Sequence, residues 1–290
     1  MRIQARAKIN WTLDIVGQRP DGYHLMDMLM QPVTLHDDIL LTPAADITLT
    51  TGGSPLLVAD DKHLAYRAAL ALKRHTGYPG GAAIHVEKHI PVGAGMGGGS
   101  ADAAGVLLGL NRLWGVNLPQ AELEAIGLTL GADVPFCLRG GLTRTTGIGE
   151  TMQPLPCGRC WPLVVVQPCE GLSTKEIFAA YHAGATVNRP DNDVAALALA
   201  MGDGTALQAA IANVMEPVSA LRRPDIGQAI AALTAHGAFA ARMTGSGSAV
   251  FGAFVEETAA DAAFEALRPR WTRTYRCSTC MESVVIQDAD

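Results

Sequence analysis

Residues Pro91–Ser100 read PVGAGMGGGS, five glycines in ten positions, and run straight into the apolar-periodic segment SADAAGVLLGLNRL. Without Cβ atoms in the way, successive backbone amides can converge on an anion, and the partial positive charge of a helix N-terminus favours phosphate there. The spacing predicts a helix over 100–113 with Ser100 as its N-cap. A Walker A loop is excluded because Gly99, not a lysine, precedes Ser100. Gly93, Gly95 and Gly98 satisfy the dinucleotide pattern GxGxxG, but a second helix follows where a strand ending in an acid about 20 residues on is required. A protein-kinase loop fails for want of its partner strand and catalytic-loop motifs.

Working outward, AAIHVEKHI (82–90) reads as a strand and LAYRAALALKRH (64–75) as a helix. The first 50 residues alternate as strands, with ITLT at 47–50 and an Asp21-Gly22 turn. A helix is expected over Gln120–Leu130, opened after Pro119 and stopped by Gly131. QPLPCGRCWP (153–162) is the best boundary between units 1–155 and 156–290. The second unit alternates strand WPLVVVQ, helices over 174–182, 193–212 and 225–236, strand SAVFGAF, helix Glu257–Leu267 and a last strand near 283–286. The expected class is α+β, a β-rich unit followed by a helix-covered sheet.

The chain has 290 residues, 49% apolar and 17% charged, enough to bury a sizeable core. No apolar run approaches the roughly 20 residues that span a bilayer, and MRIQARAKIN carries no secretory signal, so the cytoplasm is the expected compartment. A net charge of -6 without a basic tract argues against a nucleic-acid partner. A small-molecule enzyme fits better. Cys157/Cys160 and Cys277/Cys280 form two CxxC pairs, but their wide separation is unlike a compact zinc module, and Cys160 precedes a strand rather than opening a redox helix. The expectation is reduced, incidental thiols, with Cys137 and Cys169 ordinary small hydrophobes.

PVGAGMGGGSADAAG resembles the central motif of the GHMP kinases, ARAKINWTLDIVGQRPDGYH (5–24) their N-terminal motif, and RMTGSGSAVFGAF (242–254) the third. The resemblance covers nearly the whole chain and implies a two-domain, ATP-dependent small-molecule kinase using Mg²⁺. GQRPDGYH (17–24), LGADVPF (130–136), STKEIF (173–178) and NVMEP (213–217) resemble the branch that phosphorylates the C2 hydroxyl of a cytidine-diphosphate-linked methylerythritol in non-mevalonate isoprenoid synthesis.

That resemblance implies roles residue by residue. Asp133 would accept the substrate hydroxyl proton, with Lys8 offsetting its charge and that of the phosphate. Gly95, Gly97, Gly98 and Gly99 would give amides to ATP, Ser100 a hydroxyl to phosphate or Mg²⁺, with Lys88, Pro91, Gly93, Met96 and Ala101 adjoining the nucleotide. Ala101 stands where related loops often have a second serine, and His63 where they have an asparagine beside adenine. Asn10, Gly245 and Ser246 would position the substrate, Tyr23 and Phe178 would sandwich its cytosine, and His24 would read the ring edge. Asp102 reads as a complement to the helix dipole; no metal ligand or oligomeric state is assigned. Another GHMP kinase such as homoserine kinase, a nicotinamide oxidoreductase and a thiol-based zinc or redox protein stay open as rivals.

Overall fold

The period-2 pattern of the opening strand organises the molecule. In the computed structural model, which describes residues 1–53, 61–181 and 188–287, β1 (Arg2–Gln18) turns every odd residue from Ile3 to Ile15 into the core. Its even positions from Gln4 to Asp14 carry polar side chains, and Lys8, Asn10 and Thr12 are buried all the same. Such burial is costly unless partners are supplied. Those partners make the site described below.

β1 pairs antiparallel with the long β2 (His24–Ala44) around the Asp21-Gly22 turn. β3 (Thr48–Gly52), α1 (Leu64–Thr76) and β4 (Gly81–Glu87) form a βαβ unit, with β3 and β4 parallel. After the glycine loop come α2 (Gly98–Leu113), α3 (Gln120–Leu130) and the short α4 (Val134–Arg139), then the hairpin β5 (Thr143–Gly147) and β6 (Thr151–Pro154). The remainder runs β7 (Pro162–Val166), α5 (Thr174–Ala180), α6 (Asn192–Met201), α7 (Gly204–Ala210), α8 (Glu216–Arg222), α9 (Asp225–Ala235), β8 (Ala240–Met243), β9 (Val250–Ala253), α10 (Glu257–Leu267), β10 (Thr274–Ser278) and β11 (Val284–Gln287).

Two sheets result, one of seven strands in the order β11-β1-β2-β4-β3 with β5 and β6 branching from β2, the other of four in the order β10-β7-β9-β8. β7 is buried throughout, as expected of an all-apolar strand covered on both faces. Trp11 of the first sheet meets Phe251 of the second edge-on at 5.4 Å, and its indole N–H is satisfied by Gln31 at 2.8 Å. An aromatic pair of this kind adds about 0.5–1.5 kcal/mol beyond its area. Both sheets are thereby fixed against one core.

Three expectations change. β11 pairs with β1, so the last strand lies in the first sheet and not in that of the second unit. α2 begins two residues before Ser100, with Gly97 at the N-cap in the left-handed conformation (φ 71°), because only a residue without Cβ turns the loop into the helix there. α5 ends at Ala180, and His182, the expected end of that helix, lies outside the described residues.

The two CxxC segments run side by side, since Ser278 faces Pro162 and the Thr279 N–H donates to the Trp161 carbonyl at 2.9 Å. All six cysteines are free. Burial pushes the Cys277 thiol up to about 12 and the Cys280 thiol up to about 11, which leaves little thiolate at neutral pH. Among the described residues no helix is long and apolar enough to cross a membrane.

Candidate active site

Two cavities meet at the glycine loop, and Gly95 and Gly97 line both. The smaller, about 350 Å³, is bounded by the loop itself, the first turn of α2, Lys88 and His63. The larger, about 890 Å³, opens between the two sheets and is lined by Lys8, Asn10, Tyr23, His24, Asp133 and Phe178 among others. At their junction stands one ion pair.

Lys8 projects from the polar face of β1 and is buried. Its ammonium donates to Asn10 Oδ1 at 2.7 Å and to the Gly95 carbonyl at 2.8 Å, and lies 3.8 Å from Asp133 Oδ2. Asp133 occupies the N-cap position of α4, yet its side chain accepts no capping hydrogen bond. The carboxylate turns to Lys8 instead, and with 35% of its side chain exposed it stays within reach of the cleft. A Cβ on Gly97 would sit 3.2 Å from Lys8 Cγ and 3.8 Å from Asp133 Oδ2, so the loop presses directly on the pair. At Gly95 (φ 77°) a Cβ would strike the Thr244 carbonyl, which forces glycine there as well.

The loop is tied down along its length by backbone contacts. Met96 O accepts from the Lys8 N–H at 3.0 Å, Ala94 O from the Ala249 N–H at 3.1 Å, and Val92 O from Gln167 Nε2 at 2.9 Å. Each contact joins the loop to a different segment. Amides in a loop held so firmly are pre-oriented, so an anion bound by them costs little reorganisation.

The third motif braces the same centre. Thr244 Oγ1 accepts from the Asn10 N–H at 3.0 Å. Asn213 Nδ2 donates to the carbonyls of Met243 and Gly245, both at 2.8 Å, and Glu216 Oε2 accepts from the Met243 N–H at 2.9 Å. Burial raises the Glu216 carboxyl above its ordinary range. NVMEP is thus a staple for the loop that carries Gly245 and Ser246, and Thr174 Oγ1 meets Ser246 Oγ at 2.9 Å, linking α5 to it.

At the cleft's outer end His24 stacks on Phe178 with ring centroids 5.1 Å apart, and Tyr181 meets His24 edge-on at 6.3 Å. Tyr23 is 61% exposed at the turn. The sandwich expected between Tyr23 and Phe178 is therefore not preformed, since His24 covers a face of Phe178.

Two readings near the nucleotide end are corrected. Lys88, expected beside the nucleotide, has its ammonium committed to protein partners: its side chain is 3% exposed and the ammonium binds Asp37 and, at 2.6 Å, Asp102 Oδ2. Asp102 is no surface complement to the helix dipole but a buried partner of that lysine. Burial, opposed by Lys88 and reinforced by Asp37, raises the Asp102 carboxyl to about 7. His63 N-caps α1, its Nδ1 accepting from the Ala65 N–H at 3.2 Å, and lines the smaller cavity. Asp37 lies in no motif, and the motifs that hold Thr244, Asn213 and Glu216 assign them no role, because nothing local marks a buried polar group whose partner is remote in sequence.

Comparison with known proteins agrees over almost the whole chain. The family model for the GHMP kinases N terminal domain matches residues 63–141, and that for the GHMP kinases C terminal matches residues 190–272. A 4-diphosphocytidyl-2-C-methyl-D-erythritol kinase of Symbiobacterium thermophilum is 43% identical over 271 residues, covering 93% of this chain and 96% of the relative. A crystal structure of 4-(cytidine 5'-diphospho)-2C-methyl-D-erythritol kinase superposes with a TM-score of 0.84 at 34% identity, covering 96% of this chain and 99% of that one. Homoserine kinase from Cytophaga hutchinsonii shares the fold at a TM-score of 0.75 and 18% identity, covering 98% of this chain and 96% of that one.

Proposed function

The chain belongs to the GHMP kinase superfamily and, within it, to the 4-diphosphocytidyl-2-C-methyl-D-erythritol kinases, and from that premise we propose how its own residues carry the reaction. ATP lies with its phosphates on the glycine loop, and the γ-phosphate passes to the C2 hydroxyl of 4-diphosphocytidyl-2-C-methyl-D-erythritol in the larger cleft. The observation that carries this reading is the position of the Lys8–Asp133 pair, at the junction of the two cavities and against Gly97.

Phosphoryl transfer asks the protein for alignment and charge neutralisation more than for covalent chemistry. The cleft holds the acceptor, Asp133 takes the hydroxyl proton, and Lys8 offsets charge on the carboxylate and on the phosphate oxygens. Lys8 is already fixed by Asn10 and by the Gly95 carbonyl, so its ammonium needs no search to reach position. Gly97, Gly98 and Gly99 present amides at the start of α2, and Ser100 follows in the same turn.

Mg²⁺ fits as a companion of the nucleotide rather than as a resident ion. Among the described residues no group of three or more His, Cys, Asp or Glu side chains can hold a metal, whereas Mg²⁺ commonly binds through one or two protein oxygens and the phosphates. Ser100 would supply one of those oxygens. When bound, the ion neutralises charge on the transferring phosphate.

At the far end, Tyr23, His24 and Phe178 receive the cytosine, with His24 leaving Phe178 to hydrogen-bond the ring edge. The test is competition: CMP should inhibit against the acceptor, and UMP, whose donor and acceptor pattern is exchanged, far less, since an unpaired buried polar group costs roughly 1–3 kcal/mol. Equal inhibition by both, or by neither, would overturn the cytidine assignment.

A further inference from the structure

The glycine loop leaves β4 through Ile90 and enters α2 at Gly98, and one buried cluster touches both stems. Asp37, on β2, accepts through Oδ1 from the backbone N–H groups of His89 at 2.6 Å and Ile90 at 2.8 Å, fixing the point where the loop begins. Through Oδ2 it binds the Lys88 ammonium, which in turn binds Asp102 Oδ2 at 2.6 Å, one helical turn after Gly98. The Lys88 ammonium lies 3.5 Å from where a Gly98 Cβ would stand, and Ile90 Cγ2 lies 3.0 Å from it. The two ends of the loop therefore converge on one ammonium.

We propose that Asp37, Lys88 and Asp102 are positioning residues that clasp the two stems of the phosphate loop and so set the affinity for ATP by holding the loop's shape. This rests on the reading of the loop as the ATP cradle. A cluster serving stability alone has no need of a lysine and two aspartates, because well-packed apolar residues often replace buried ion pairs without loss. Here the bonds go to the His89 and Ile90 amides and to the first turn of α2, the places from which the loop's curvature is set. Asp102 Oδ1 makes no hydrogen bond, so the carboxyl reaches Lys88 through Oδ2.

The deciding variant is Asp102→Ala. It removes the bond to α2 while leaving Lys88 and Asp37 as a one-to-one pair, so the buried charge balances and the fold should persist. Calorimetry should then show ATP bound on the order of tenfold more weakly, with KM for the cytidine substrate within about twofold of wild type and Tm little changed. Asp102→Asn, which keeps an oxygen for Lys88, should recover most of the ATP affinity. Asp37→Asn is an independent arm. Its oxygen can still accept from His89 and Ile90 while its NH2 group confronts Lys88, and it too should weaken ATP selectively. Wild-type ATP affinity in both Asp102→Ala and Asp37→Asn would overturn the clasp. Gly97→Val, measured alongside, separates the two ideas: if it alone loses ATP, the cradle stands and the clasp falls, whereas unchanged ATP binding in a folded Gly97→Val protein removes the cradle itself.

Discussion

The two ends of the cleft are made of different material. At the nucleotide end, the surface is backbone, curved by glycines with φ near 70° and anchored by buried side chains paired with one another. At the acceptor end, the surface is side chain, a tyrosine on an exposed hairpin turn and a His24–Phe178 stack whose phenylalanine rides on a helix of seven residues. On the proposed reading, a backbone cradle recognises what every kinase of this fold shares, the phosphates of ATP. On the same reading, the rings recognise what distinguishes one acceptor from another, with His24 leaving Phe178 to do so. Substitutions at the first end should therefore act through ATP, and those at the second through the acceptor.

The largest effect belongs to neither end. Asp133→Asn should lower kcat on the order of 10²- to 10⁴-fold with KM values nearly unchanged, the loss expected of a positioned base. Steady-state kinetics with both substrates varied would check it, and near-normal turnover would remove Asp133 from the reaction. Next comes Gly97→Val, which adds left-handed strain of about 1–2 kcal/mol to side-chain atoms in contact with Lys8. ATP affinity by calorimetry should fall by roughly tenfold or more while CMP inhibition is kept; the reverse pattern would break the contrast between the ends. His24→Ala should raise KM for the cytidine substrate about two- to tenfold, the worth of one ring stack, and erode the preference for CMP over UMP with less effect on ATP. The smallest change is expected of Thr174→Val, which loses the hydroxyl contact with Ser246 and about 0.5–1.5 kcal/mol of ordering between α5 and the third loop. It should appear as a modest rise in acceptor KM alone.

The same contrast governs how much the sequence discloses. Glycine spacing, the period-2 face of β1 and the bounds of α3 and α10 are local signals, and the structure reproduces α3 at Gln120–Leu130 and α10 at Glu257–Leu267. The start of α2 differs from the expected Ser100 cap because serine is the commoner cap, while the tight turn at Gly97 requires a left-handed glycine. The return of β11 to β1 is a pairing between the two ends of the chain, which no local pattern reports. Asp37 and Lys88 stand 51 residues apart and Asn10 and Thr244 stand 234 apart, so their partnerships exist only once the sheets are formed. Three motifs in order identify the kinase; how their polar side chains are satisfied is a property of the fold.

The most direct measurement couples ADP release to added acceptor, with ATP and Mg²⁺ present and wild-type protein. If the cleft is built for a cytidine-bearing alcohol, 4-diphosphocytidyl-2-C-methyl-D-erythritol should drive saturable ADP release and homoserine should leave the background unchanged. Equal or greater release with homoserine, or none above background with the cytidine substrate, would contradict the account.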